Sequence, residues 1–489
     1  MIVVPPDRLP SLQELGRIFV VGIGGSAMSA VARIAFERGA SVAGSDIGES
    51  PVIEALRDLG ITCHLGHDPA HVDDADTIVV STAHSEDVPE IAEARRRGLR
   101  VLHRATATAV LAAGSRQVAV AGAHGKTSTC AMLATALVDA GLDPSYLIGA
   151  VVPGLGTNAH AGTGDVFVVE ADESDGSFLH LSPSIAVVTN VDPDHLENYG
   201  DDPAAYHAAF TDFAGRIVGA DGVLVACADD AGSADLAERV RADGRQVITY
   251  GRSSTAVARM VDASAAAGER AEPGGQTFTT VGGPGSGATV RLQVPGAHFG
   301  LNGLAAHVVL CLLGLRPHEA AERLSAYLGT VRRFEHVGTA GGVVVYDDYG
   351  HHPTEMLATV STARQALLAG GGGGRLIVLY RPLRYTRTQR MAPELGAALG
   401  GADLVVVLDP SGDLPIEGVS GAQVAAAVPL TADHVLYRSD PAKSVDVVTA
   451  ELRPGDLLLT LGAGDVAPLG RQVLAALDTA GQQGDRARR

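Results

Sequence analysis

Several groups of residues in this chain have the types and spacing to do chemistry. Gly22-Ile23-Gly24-Gly25-Ser26-Ala27 follows a short apolar run and precedes a helix-like segment. Glycines in such a place let the backbone approach a diphosphate at a helix N-terminus, where the helix dipole favours an anion. Asp46 ends the next apolar run, a position where a carboxylate often meets a ribose or a base. Taken alone, this pattern suggests a nicotinamide or flavin enzyme. A second loop argues against that reading. Gly122-Ala123-His124-Gly125-Lys126-Thr127-Ser128 again lies between an apolar run and an amphipathic segment. Its amides can cradle phosphates, its ammonium can reach the outer phosphates of ATP, and the Thr127 hydroxyl can ligate Mg²⁺. The loop is a shortened variant, because the usual spacing puts the first glycine at Val120. It nevertheless uses one of only two lysines, Lys126 and Lys443, in the chain.

Acidic residues cluster at the ends of two further apolar runs. Glu170-Ala171-Asp172-Glu173-Ser174-Asp175 closes one, and Thr189-Asn190-Val191-Asp192-Pro193-Asp194-His195 closes the other. Carboxylates at strand ends beside a phosphate loop are where an Mg²⁺–ATP site needs its ligands. Further on, Asn302 stands at a predicted helix start, Arg332 and Arg333 follow Gly329, and Asp347-Asp348-Tyr349-Gly350-His351-His352 ends another run. Adjacent histidines on extended backbone point to opposite faces, so this pair reads as substrate contact or ordinary hydrogen bonding, not as a metal pair.

Positioning these groups requires alternating strands and helices. The predicted strands include 17–21, 41–45, 77–81, 118–121, 166–170, 185–189, 343–346, 376–380, 404–408 and 457–461, with helices between them. That rhythm predicts α/β architecture on parallel, doubly wound sheets. A helix is predicted over 305–315, the Gly370–Gly374 run reads as a loop, and 252–287 reads as irregular strands and loops. The 489 residues divide into three expected domains at 1–113, 114–328 and 329–489. The formal net charge of −19 disfavours general nucleic-acid or membrane-surface binding, since either needs a basic face. Four scattered cysteines give neither a disulfide framework nor a zinc site. With no signal-peptide pattern and no apolar run of about 18 residues, a cytoplasmic protein is expected, as a monomer or homodimer.

Together the motifs GIGGSAMS, GSD, AGAHGKTS, EADESDGSF, TNVDPDH, VRRFE, DDYGHHPTE, RYTRT, GVSG and GAGDV resemble those of the Mur ligase family, the ATP-dependent amide ligases of peptidoglycan synthesis. The resemblance runs over nearly the whole chain and points to the alanine-adding members. It implies an N-terminal Rossmann-like UDP-sugar domain, a central ATPase domain and a C-terminal Rossmann-like amino-acid domain. It also implies transfer of the γ-phosphoryl group of ATP to the lactyl carboxylate of UDP-N-acetylmuramate, followed by attack of L-alanine on the acyl phosphate. In that scheme Gly122, Ala123, His124, Gly125, Lys126, Thr127 and Ser128 bind ATP, and Asn302 contacts adenine. Thr127, Glu170 and His195 hold two Mg²⁺ ions, with His195 acceptable only beside harder oxygen donors. Arg333 reaches the phosphates and Asp348 closes over ATP, so domain closure is expected. Gly24, Gly25, Ser26, Asp46, Ser81, Thr82 and Arg104 hold the UDP group. Tyr349, His351, Arg384 and Arg387 line the amino-acid end, where an arginine can grip a carboxylate at two points.

The chain also departs from the family pattern. Ala123 replaces a threonine, and Phe299 stands where many members have asparagine. The usual FQPHRYTRT reads YRPLRYTRT, which puts Arg381 and Leu383 in place of Gln and His, and the loop 408–415 is about two residues short. These last changes fall on the amino-acid side. They leave open a paralogous ligase with the same ATP chemistry but another amino acid or acceptor.

Overall fold

The computed structural model describes residues 2–265, 274–370 and 373–487, so 371–372 of the expected glycine loop and 266–273 lie outside the described residues. The protein is a three-domain α/β chain with three sheets. Its residues cluster into two compact units. One comprises Met1–Asp262, Phe278–Val290 and Leu301–Tyr327, and the other Ala263–Thr277, Arg291–Gly300 and Leu328–Arg489.

The first sheet contains β1 (Ile18–Val21), β2 (Val42–Asp46), β3 (Thr62–Leu65), β4 (Thr77–Val80) and β5 (Arg100–His103), in the order β3-β2-β1-β4-β5. All pairings are parallel, with Ile18 opposite both Val42 and Thr77. β1 is buried along its whole length, which is why it reads as a continuous apolar run with no alternation. The chain reverses direction of winding between β1 and β4, so the loops after these two strands open the crevice where such sheets bind ligands.

The second sheet begins with β6 (Arg116–Ala121), β7 (Ser145–Val152), β8 (Thr157–His160), β9 (Val166–Glu170) and β10 (Ile185–Val188). It continues through β11 (Val223–Cys227), β12 (Gln246–Gly251), β13 (Ala258–Ala265), β14 (Gln276–Val281) and β15 (Thr289–Leu292). β6 lies between β10 and β9, in register with both, so Ala121 meets Val188 and Val120 meets Glu170. This register brings the phosphate loop and both acidic segments to one edge. Phe178 supports that edge from below, 4.9 Å from Phe213 and 5.2 Å from Phe210 between ring centroids. The 252–287 segment contributes regular strands β13 and β14, which its Gly, Ser and Ala content had hidden.

The third sheet holds β16 (Glu335–Ala340), β17 (Val343–Asp348), β18 (Leu376–Tyr380), β19 (Leu404–Leu408), β20 (Val435–Arg438) and β21 (Leu457–Leu461). Its order is β16-β17-β21-β18-β19-β20, parallel except for the β16 edge. The helix expected at 305–315 spans Ala297–Leu312, which makes Asn302 its sixth residue. Gly300, Gly303 and His298 are weak helix formers and mask that first turn in the sequence.

Candidate active site

The second loop has the backbone geometry that the phosphate-loop expectation requires. It leaves β6 at Ala121 and enters the helix Lys126–Asp139 with Gly125 as its N-cap residue. Gly122 has φ +132°, and a Cβ there would collide with the Thr189 hydroxyl and meet Asn190 backbone atoms at 3.0 Å. Gly125 has φ +84°, and a Cβ there would lie 2.7 Å from Asn302 Oδ1. Asn302 therefore reaches the loop itself. Asn190 braces the centre of the loop. Its Oδ1 accepts from the His124 amide at 3.0 Å, and its Nδ2 donates to the His124 carbonyl at 2.9 Å. His124 Nε2 lies 3.0 Å from Asp192.

Lys126 folds over this loop. Its Nζ donates to the carbonyls of Gly122 (2.5 Å) and Ala123 (3.1 Å) and pairs with Glu173 at 2.8 Å. Burial opposes the charge, but the carboxylates of Glu173, Asp172 and Glu170 outweigh it and raise the lysine pKa. Thr127 Oγ1 donates to Glu170 Oε1 at 2.9 Å, and the other Glu170 oxygen accepts from the Gly149 amide at 2.6 Å. The two oxygen donors expected of a metal site are thus adjacent. Ser128 is buried in the first turn of the helix. His195 has left-handed backbone, φ +53°, and its ring lies 3.7 Å from Asp194 and from Glu197.

The first loop is held by Asp46, whose Oδ2 accepts from the Gly24 amide at 2.9 Å while Oδ1 accepts from Ile47 at 2.8 Å. Gly25 is the N-cap residue of the helix Ser26–Glu37. Ser26 ties this loop to the central domain, donating to the Gly149 carbonyl at 2.6 Å while Asn158 donates to the Ser26 carbonyl at 3.1 Å. Gly149 therefore bonds Ser26 through its carbonyl and Glu170 through its amide. Arg104 pairs with Asp172 at 2.6 Å and Asp175 at 3.2 Å, and Thr82 donates to Asp175 at 3.3 Å. Ser81 bonds His84 at 3.1 Å. A narrow cleft runs from Ala27 past Arg104 and Thr108 to Glu170 and Asp172. The EADESD run was legible as an acidic cluster. The pairing of its Glu173 with Lys126, and of Asp172 and Asp175 with Arg104, needed the fold.

The second unit carries the other predicted residues. Asp348 is buried and accepts from the amides of Phe334 (2.7 Å) and Gly350 (2.8 Å) and from Thr359 (3.1 Å). Burial pushes its pKa up to about 6, against the pull of Arg333 and those amides. Arg332 and Arg333 both lie over the Tyr349 ring, 5.0 and 5.1 Å from its centroid. Arg332 is further committed to Asp347 at 3.1 Å and the Gly462 carbonyl at 2.6 Å, a structural role distinct from that of Arg333. His298, unnoticed in the sequence, faces Arg333 and Glu355, and its burial lowers its pKa to about 4. His351 turns its Nδ1 to the Tyr349 carbonyl at 3.1 Å, while His352 caps the helix Pro353–Ala369. Arg384 (φ +64°) precedes the helix Tyr385–Ala398, on which Arg387 is buried beside Tyr380.

Each of two sheets thus carries a glycine-rich loop that opens a helix, with the oxygen donors Thr127 and Glu170 backing the second. Three family models match in chain order. The Mur ligase family catalytic domain covers residues 17–116, the Mur ligase middle domain 120–310, and the Mur ligase glutamate ligase domain 332–464. A UDP-N-acetylmuramate–L-alanine ligase from a Nocardioides species is 49% identical over 479 residues, covering 97% of this chain and 99% of that protein. One from Renibacterium salmoninarum is 45% identical, covering 96% and 98%. The solved structure of the UDP-N-acetylmuramate–alanine ligase of Thermotoga maritima superposes with a TM-score of 0.79 at 27% identity, covering 95% of this chain and 99% of that one. The chain belongs to the Mur ligase family.

Proposed function

We propose that this enzyme joins L-alanine to the lactyl carboxylate of UDP-N-acetylmuramate. The carboxylate oxygen attacks the γ-phosphorus of ATP and ADP leaves. The alanine amine then attacks the acyl carbon, loses a proton, and phosphate departs as the amide forms. Catalysis of this kind is positioning plus neutralisation of charge between anions. The observation that carries the reading is the residue Gly149, whose carbonyl and amide make the two bonds. It bonds Ser26 of the sugar-nucleotide loop on one side and Glu170 of the ATP site on the other.

Lys126 and the amides of 122–128 bind the β- and γ-phosphates, with Asn302 at the nucleotide, and Arg333 and Asp348 keep the ATP roles that the family resemblance implies. Thr127 and Glu170 suit Mg²⁺ because both are hard oxygen donors within 2.9 Å of each other, and His195 is the further ligand in this assignment. Bound there, Mg²⁺ supplies charge neutralisation at the transferring phosphoryl group. Gly24, Gly25, Ser26, Asp46, Ser81 and Thr82 hold the UDP group, with Arg104 fixing the acidic segment beneath. Tyr349, His351, Arg384 and Arg387 serve the amino acid. The domain boundaries in this reading are 1–113, 114–328 and 329–489, and the reaction is cytoplasmic. Among the described residues no helix is long and apolar enough to cross a membrane.

The test is phosphate release with Mg²⁺–ATP and UDP-N-acetylmuramate across a panel of single amino acids. Release strongest with L-alanine supports the proposal. Release with another amino acid alone transfers the assignment to a paralogous ligase, the reading that Leu383 and the short loop favour.

A further inference from the structure

The N-terminal domain contains a polar network that the reaction above does not use. Glu90, the second residue of the helix Pro89–Arg97, is completely buried. Its two oxygens are held from opposite sides, Oε2 by His67 Nδ1 at 3.0 Å and Oε1 by His71 Nδ1 at 3.1 Å. The Asp68 amide adds a longer contact at 3.4 Å, and the Ser45 hydroxyl also favours the ionised carboxylate. A buried carboxylate without donors costs several kcal/mol, so a full shell around Glu90 implies a fixed arrangement. His71 is itself stacked on His64, 4.2 Å between centroids, which leaves it little freedom to move.

The network leads to the sugar-nucleotide loop. His67 Nδ1 also lies 3.4 Å from Ser45 Oγ, on β2 next to Asp46. The Ser45 carbonyl accepts from the Ile23 amide at 2.9 Å, and Asp46 accepts from Gly24. His67 donates its Nδ1 proton to Glu90 and rests against Ser45 Oγ, the Ser45 hydroxyl bonds Glu90 as well, and the Ser45 carbonyl and Asp46 carboxylate carry the connection on to the Ile23 and Gly24 amides. His84 closes it from above. A Cβ on Gly22 would collide with its imidazole, and it lies within electrostatic reach of His67, Asp46 and Glu90.

We infer that Glu90 is a positioning residue for sugar-nucleotide binding, acting through His67 and Ser45 to fix the Gly22–Asp46 loop. The inference rests on the assignment of that loop to the UDP group. With Glu90 ionised, both rings present an Nδ1 proton to it, whereas an amide in its place accepts from only one of them and forces the other ring to change tautomer.

The test is E90Q, with S45A as a second variant that cuts the path at a small side chain. In steady-state assays, E90Q raises KM for UDP-N-acetylmuramate about tenfold, the scale expected when a binding loop is misplaced by a fraction of an ångström. KM for ATP and kcat stay within about twofold if ATP positioning is untouched. S45A shifts the same constant in the same direction by less. Calorimetric binding of UDP alone weakens in parallel. This makes the inference testable even if the amino-acid assignment fails, since UDP binding requires no turnover. Equal UDP affinity in E90Q and the unmodified enzyme overturns it. So does a rise in both KM values together, which would mark Glu90 as a general fold determinant.

Discussion

The buried pair Lys126–Glu173 gives the sharpest test of how the ATP site is assembled. Lys126 and Glu173 side chains are 13% and 3% exposed, and their charged atoms are 2.8 Å apart. At an effective dielectric of about 20, the attraction at that distance is about 6 kcal/mol before desolvation. Breaking a buried pair by removing one partner costs about 3–5 kcal/mol, because the survivor is left uncompensated. The lysine also feels Asp172 and Glu170, so loss of Glu173 leaves it partly matched. E173Q should therefore destabilise by about 2 kcal/mol, below the usual range. K126M should cost about 3 kcal/mol, since it leaves three carboxylates close together. The double variant removes both charges and should cost no more than about 2 kcal/mol, giving a coupling energy of about 3 kcal/mol. The assay is urea unfolding followed by circular dichroism at pH 7 for the four proteins of the cycle. Additive effects, with a coupling below about 0.5 kcal/mol, would refute the claim that this pair holds the loop closed on itself.

Three other outcomes follow from the same geometry. Asp348 has a folded pKa near 6, above that of an unfolded aspartate, so between about pH 4 and 6 the native state binds the extra proton and stability falls as pH rises through that window, by about 3 kcal/mol in all. Urea midpoints at pH 4.5 and 7 should show the stability gap between the unmodified chain and D348N changing in that direction, which separates Asp348 from the other carboxylates; a gap that does not change would count against the buried placement. Gly125→Ala forces a side chain to φ +84° against Asn302, costing about 1–2 kcal/mol, and should raise KM for ATP at least tenfold while leaving UDP affinity unchanged. Asp413 accepts from the Tyr385 amide at 2.5 Å and from Thr386 Oγ1 at 2.9 Å, so Asp413→Ala should cost about 1 kcal/mol as a lost helix cap and raise KM for the amino acid without changing that for ATP.

The two glycine-rich loops were legible because each requirement is local. A strand, a glycine where φ is positive, and a helix start are all written within ten residues, as at Gly122–Lys126. The acidic segments were legible for the same reason, since strand ends place them. What the sequence hid were pairings set by topology. Glu173 and Lys126 are 47 positions apart, and they meet because β6 lies beside β9 with Val120 opposite Glu170. Glu90 is harder still to read, because a Pro-Glu helix start is ordinary and nothing local says that two histidines from the β3–β4 connection will enclose it. The early start of the helix at Ala297 was missed because its glycines lower local propensity, and tertiary packing overrides that.

The departures on the amino-acid side are one change, not two. Leu383 forms an isolated bridge to Ser411 in the shortened loop. The Ser411 amide donates to the Pro382 carbonyl at 3.0 Å, and the Arg384 amide donates to the Ser411 carbonyl at 2.6 Å. A Cβ on Gly412 would stand 3.0 Å from Leu383 Cδ1, so the apolar side chain occupies the space above the loop's glycine. Arg381 is likewise absorbed, with Nε on the Asp409 carbonyl at 3.1 Å and its guanidinium 2.6 Å from Asp465. The residues that differ from the family pattern thus contact one another and the start of the helix that carries Arg387. Ser411 and Asp413 lie against residues 382–386, and the apolar Leu383 fits that contact. The pattern therefore reads as a loop and its facing turn changing together, with Ser411 and Asp413 bonded to the backbone that leads into the helix Tyr385–Ala398.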